Sequence, residues 1–169
     1  MQQLYASWRM SYIEAPKPPK DRCIFCDFPS ENDDEKHFIV HRGKTCFVIM
    51  NLYPYNPGHL MVIPYRHTNV YESLTDEEAL EMHRLTAKAV KVLKKVMNPA
   101  GFNMGINLGE TAGAGVAGHL HRHIVPRWNG DNNFMPVLGD TRVLSDSIES
   151  SYKKIKEAWD KSEADCRKE

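Results

Sequence analysis

The chain has 169 residues with 22 basic and 22 acidic side chains, so its formal net charge is zero. That balance argues against a nucleic-acid partner held by bulk electrostatics, and no apolar stretch approaches the roughly 20 residues of a membrane span. The length is enough to bury a core without disulfide staples, and the first residues lack the apolar segment of a secretory signal, so a cytoplasmic protein is expected.

In chain order, residues 1–20 read as an N-terminal arm ending in the stiff linker Pro16-Lys17-Pro18-Pro19. The main body is expected over 21–145, with 146–169 as a C-terminal helix and charged tail packed on the same domain. Cys23-x-x-Cys26 opens the body, and in a reducing compartment this spacing favours zinc or redox chemistry over a structural disulfide. Cys46, inside the apolar run Cys46-Phe47-Val48-Ile49-Met50, reads as a buried free thiol, and Cys166 in the charged tail as incidental.

Strands are predicted at about 37–41, 45–51, 59–64, 102–107 and 118–125, with Asn56-Pro57-Gly58 turning the second into the third. A helix is predicted over 76–97. Thr75-Asp76-Glu77-Glu78 is a capping-box sequence, and Met82, Leu85, Ala89, Leu93 and Val96 share one helical face. Asn98-Pro99-Ala100-Gly101 stops it. A second helix, about 146–161, carries Ile148, Tyr152, Ile155 and Trp159 on one stripe. Strand runs with segregated helices give an α+β class, an antiparallel sheet with helices packed against it.

The chemically informative segment is Gly118-His119-Leu120-His121-Arg122-His123-Ile124-Val125. Alternate residues of an extended strand share a face, so His119, His121 and His123 form one row. Each buried imidazole nitrogen needs a hydrogen-bond partner, so such a row is a poor core face. It is a good reactive face, because imidazole is nucleophilic, titrates near neutrality and binds metals. Upstream, Asn107 to Gly118 holds four glycines, including Gly109, Gly113 and Gly115. Glycines permit close backbone approach, and the freed N–H groups can line an anion.

These segments resemble the histidine-triad (HIT) family of nucleotide hydrolases and transferases. Residues 119–125 match its His-φ-His-φ-His-φ-φ motif, φ being apolar, except at Arg122. Asn51-Leu52-Tyr53-Pro54-Tyr55-Asn56-Pro57-Gly58-His59, the nearby His67, and Cys23-Ile24-Phe25-Cys26 match as well. Pro126-Arg127-Trp128-Asn129-Gly130-Asp131-Asn132-Asn133-Phe134 and the arm Trp8-Arg9-Met10-Ser11-Tyr12-Ile13 look most like the bacterial diadenosine-tetraphosphate phosphorylase branch.

The resemblance implies a five-stranded antiparallel sheet, with a long helix and a C-terminal helix packed against it, in a protomer that usually dimerises. It implies that His121 is the nucleophile, forming an adenylyl-histidine, with His123 beside the leaving phosphate and His119 orienting the strand end. Asn51 and Asn107 align with positions contacting ribose and phosphate, and Gly109, Gly113 and Gly115 would line the phosphates through backbone N–H groups. Zinc-bearing relatives complete a structural site from positions matching His67 and His119, beside Cys23 and Cys26. An unmetallated reduced pair, or a site completed by His37 or His41, stays open. So does the place of His59, at the sheet end or at the nucleotide pocket, while Trp128 reads as core filling rather than base stacking.

The function implied is cleavage of diadenosine polyphosphates by phosphorolysis or hydrolysis, with inorganic phosphate or water as second acceptor and no organic cofactor. The alternatives are a nucleoside phosphoramidase and a zinc-stabilised nucleotide-binding module without turnover. Arg122 in place of an apolar residue puts burial of the strand's opposite face in question.

Overall fold

The computed structural model describes residues 22–131 and 146–166. The expected arm and linker at 1–20 and the matched Asn132-Asn133-Phe134 lie outside these residues, as does the Cys166 side chain. Helix α1 spans Ile24–Ser30, followed by strands β1 (Ile39–Arg42), β2 (Cys46–Met50) and β3 (Leu60–Pro64). The long helix α2 (Asp76–Met97), strands β4 (Gly101–Ile106) and β5 (Arg122–Arg127), and helix α3 (Ile148–Cys166) complete the fold.

The sheet has five strands in the order β1-β2-β3-β5-β4, and every pairing is antiparallel. All residues of β2 and β3 are buried, because both faces of the sheet are covered. On one face Val48, Met50, Leu60, Val62 and Ile124 meet Met82, Leu85, Ala89 and Leu93 of α2 and Ile155 and Trp159 of α3. On the other, Phe47, Ile49, Met61 and Ile63 pack on Phe25 of α1. Since Met61 pairs with His123, the histidine row lies on this second, α1-covered face.

Helix α2 begins and ends where its local chemistry dictates. The Thr75 hydroxyl accepts the Glu78 N–H at 3.2 Å and the Glu78 carboxylate accepts the Thr75 N–H at 3.0 Å, which satisfies two otherwise orphaned donors. Asn98 closes the helix in the left-handed region (φ 46°, ψ 53°). Gly58 has φ +73°, and a Cβ there would lie 2.5 Å from Met97 Sδ, so this turn admits only glycine without rearrangement.

Three local expectations are corrected. The first strand starts at Ile39 rather than residue 37, because Phe38 sits at φ 56° and breaks the extended run. The fifth starts at Arg122 rather than residue 118. Its outer neighbour sets that limit: Arg122 pairs with Ile106, the last residue of β4, and pairing with β3 stops at Val62 although β3 itself runs on to Pro64. Helix α1 was not expected at all; it is a seven-residue turn of helix after Cys23 with Pro29 inside it.

Candidate active site and metal-binding cluster

The three histidines of the row are all buried, at 1%, 4% and 8% exposure for His119, His121 and His123. Each ring nitrogen has a different environment, and this separates their chemistry. His119 Nε2–H donates to the Pro64 carbonyl at 2.8 Å, which leaves its Nδ1 lone pair directed at Cys23 Sγ, 3.3 Å away. His121 Nδ1–H donates to the His119 carbonyl at 2.8 Å, so its Nε2 carries a lone pair. His123 Nδ1 lies 3.0 Å from Nε2 of the fully buried His59, while its own Nε2 has no partner among the described residues.

Burial disfavours the imidazolium form of all three. It lowers His121 below its ordinary range, opposed by the bond to the His119 carbonyl. It brings His123 down to about 4, helped by repulsion from His121. It brings His119 down to about 4 as well, against the bond to Pro64. A neutral row is therefore the ground state at neutral pH, as a nucleophilic imidazole requires.

His121 and His123 face a cleft of about 360 Å³. Ile24, Phe25 and Phe28 of α1 form one wall, Asn51 to Tyr55 another, and Gly113, Gly115 and Val116 of the glycine-rich loop a third. Phe25 packs against two of the histidines, with its ring 5.2 Å from that of His121 and 5.7 Å, edge-on, from that of His119. Asn51 borders the cleft, its Oδ1 accepting the Tyr53 N–H at 2.9 Å. Asn107 and Gly109 do not. The Asn107 amide reaches back to the Gly113 carbonyl at 3.5 Å, and Gly109, at φ +80°, precedes the 3-10 turn Glu110–Ala112.

Beside the row, Cys23, Cys26, His67 and His119 bring one ligand atom each to within 4.8 Å of one another. Cys26 Sγ lies 3.4 Å from His67 Nδ1 and 3.6 Å from His119 Nδ1. With Zn–S near 2.3 Å and Zn–N near 2.0–2.1 Å, a tetrahedral site has S···N edges of about 3.5 Å. The observed 3.3–3.6 Å fits that edge length, so the cluster can hold a metal ion. Without a metal, burial and the neighbouring Cys23 push the Cys26 thiol up to about 11. The other histidines considered for this site are engaged elsewhere. His37 stacks on Phe28 and bonds Glu31, and His41 pairs with Glu163.

The remaining residues fall on the opposite face or behind the cleft. Arg122, half-buried, borders a groove with Tyr71, His83 and Met104 on the α2 side of the sheet. Trp128 is half-buried behind the sheet end, its indole N–H donating to the Met97 carbonyl at 3.3 Å, and takes no part in the cleft. His59 is the residue sequence reasoning left undecided, and its signal was its position directly after the Pro57-Gly58 turn at the head of β3.

Comparison with known proteins agrees with this geometry. The HIT domain model matches residues 32–130. An AP-4-A phosphorylase of Mycobacterium tuberculosis is 42% identical over 166 residues, covering 94% of this chain and 85% of that protein. The asymmetrical bis(5'-nucleosyl)-tetraphosphatase of Schizosaccharomyces pombe is 36% identical over 93 residues, 55% of this chain and 50% of that one. Among solved structures, a histidine triad nucleotide-binding protein of Sulfolobus tokodaii superposes with a TM-score of 0.66 at 25% identity, covering 82% of this chain and 93% of that chain. A zinc-bound histidine triad family protein of Mycobacterium smegmatis superposes at 0.68 with 24% identity, over 84% and 96%, and shares the fold. With the matched domain model and a relative 42% identical over 94% of this chain, this chain belongs to the HIT family.

Proposed function

We propose that the chain cleaves diadenosine polyphosphates through an adenylyl intermediate on His121. The observation that carries this is the bond from His121 Nδ1–H to the His119 carbonyl, which fixes a neutral ring with its Nε2 lone pair at a cleft lined by apolar side chains and glycines. In the first step the Nε2 lone pair attacks the α-phosphorus. The N–P bond forms, the bridging P–O bond breaks, and the leaving nucleoside polyphosphate takes the electron pair. In the second, inorganic phosphate or water attacks the same phosphorus and the N–P bond breaks. Phosphate gives ADP and ATP from diadenosine tetraphosphate, and water gives AMP and ATP. The mycobacterial relative, named a phosphorylase, favours the first outcome.

In this reading the base lies between Ile24, Phe25 and Phe28, Asn51 meets the ribose, and backbone N–H groups of the Gly113–Val116 segment meet phosphate. His123 faces the leaving group. Asn107 acts by holding the loop. Cys23, Cys26, His67 and His119 would hold zinc, which supplies a structural cross-link between α1, the segment after β3 and the approach to β5. Reduced Cys23, Cys26 and Cys46 suit a cytoplasmic protein. No helix among the described residues is long and apolar enough to cross a membrane. Strand β4 is a sheet edge with Met104 and, just beyond, Leu108 more than half-exposed or close to it, which suits pairing with a second copy. The deciding experiment is rapid-quench trapping of labelled nucleotide on His121 into alkali, where the N–P bond survives, with products of diadenosine tetraphosphate measured with and without inorganic phosphate. Turnover with no label on His121 overturns the mechanism.

A further inference from the structure

His59 is fully buried at the head of β3, yet it reaches no part of the cleft surface itself. Its two ring nitrogens are fixed by groups of unequal freedom. Nδ1 lies 3.1 Å from the backbone N–H of Tyr55, a group that can only donate. The Asn51 amide nitrogen, turned this way because Asn51 Oδ1 accepts the Tyr53 N–H, lies 3.3 Å from Nδ1 and 3.5 Å from Nε2 and so does not choose between them; the Tyr55 N–H does. Nδ1 must therefore accept, and the ring proton of neutral His59 resides on Nε2. A doubly protonated His59 would set two donors head to head in a fully buried position.

The consequence passes to the next ring. His59 Nε2–H lies 3.0 Å from His123 Nδ1, so that atom accepts, and the proton of neutral His123 resides on Nε2. This Nε2 is the buried nitrogen without a partner among the described residues, and His123 borders the cleft beside His121, ring centroids 4.8 Å apart. The two neighbouring rings thus hold opposite tautomers. His121 offers a lone pair and His123 offers an N–H.

We propose that His59 is a positioning residue that sets the tautomer of His123, through the chain from Tyr55 N–H to His59 to His123, so that His123 Nε2–H donates to the leaving phosphate oxygen. The proposal rests on the cleavage reaction above. The Tyr55 ring packs at a tilt against both imidazoles, its centroid 4.7 Å from that of His59 and 5.9 Å from that of His123. An apolar residue at 59 would free His123 to place its proton on Nδ1, which would turn a lone pair towards the leaving anion.

Three measurements on the full chain test this. Nitrogen-15 spectra of the histidine rings in the wild-type protein at neutral pH should show both His59 and His123 protonated on Nε2. A His123 protonated on Nδ1 overturns the proposal whatever the variants do. His59→Phe should lower kcat for diadenosine tetraphosphate by about 10²-fold, the lower range for a lost general-acid contact, with KM little changed. For the p-nitrophenyl ester of AMP, whose leaving group needs no such help, the loss should stay below about fivefold. His59→Gln, which keeps a donor near the Nε2 position, should recover at least a tenth of the wild-type rate. Equal losses on both compounds, or no difference between Gln and Phe, would assign His59 a purely structural role and overturn the proposal. If His59→Phe does not fold, His59→Gln and the wild-type spectrum decide. A wild-type chain that cleaves neither compound sinks the functional reading instead, and the nitrogen spectrum still settles the tautomer.

Discussion

If the Cys23, Cys26, His67 and His119 cluster holds zinc as proposed, stripping that metal is the perturbation with the widest expected reach. Helix α1 has only seven residues, far below the length at which a helix holds itself in water, and Cys23 caps it without a side-chain hydrogen bond. Its attachment rests on the burial of Phe25 and on the cluster, which joins α1 to His67 and to His119, 96 positions from Cys23. A zinc ion held with free metal at about a thousand times its Kd stabilises the folded state by about 4 kcal/mol. For a protein of this length each kcal/mol moves Tm by about 2–4 °C, so loss of zinc should lower Tm by about 8–16 °C. The assay is calorimetry of the purified protein before and after chelation, with elemental analysis of both samples. Cys26→Ser should reproduce the chelated Tm and no longer respond to chelator. About one zinc per chain that leaves with a Tm change below 2 °C would refute the idea that the cluster fastens α1. A protein prepared without chelator and found to hold no zinc would remove the metal while leaving the chemistry of His121 untouched.

His121→Ala should lower kcat by about 10⁴–10⁶-fold while nucleotide affinity, measured by calorimetry, changes little; activity within tenfold of wild type would place the nucleophile elsewhere. Glu78 is held down to about 2, chiefly by its bonds to Arg66, and its folded value lies below the unfolded one. Its contribution is therefore complete above about pH 4.5 and lost as pH falls towards 2. Because Arg66 is partly open to water, Glu78→Gln should cost about 1–3 kcal/mol in denaturant melts at pH 7, with the gap to wild type narrowing below pH 4. A gap independent of pH would mean that packing, not charge, accounts for the loss. Gly58→Ala should destabilise by about 1–3 kcal/mol, since it meets both a positive φ and the Met97 sulfur, and an unchanged melting curve would show that the turn relaxes freely.

Much of the architecture is set by local sequence. The Thr75–Glu78 box and Asn98 delimit α2 because caps act within one helical turn, and the predicted and observed limits coincide at 76 and 97. Apolar runs at Cys46–Met50 and Leu60–Pro64 give strands covered on both faces. The spacing of His119, His121 and His123 is enough to put imidazoles in one row. What each imidazole does is another matter, because a ring nitrogen is defined by the group opposite it, and those groups come from distant segments. The Pro64 carbonyl turns His119 towards the thiols, the His119 carbonyl frees Nε2 of His121, and His59, 64 positions away, decides the proton on His123. Strand ends show the same division: β5 opens at Arg122 and not at 118, where its neighbour β4 ends at Ile106 and its pairing with β3 stops at Val62. Periodicity is a property of neighbours in sequence and can be read from them. Tautomers, ligand sets and ladder ends are properties of neighbours in space, and only the packed sheet brings those together.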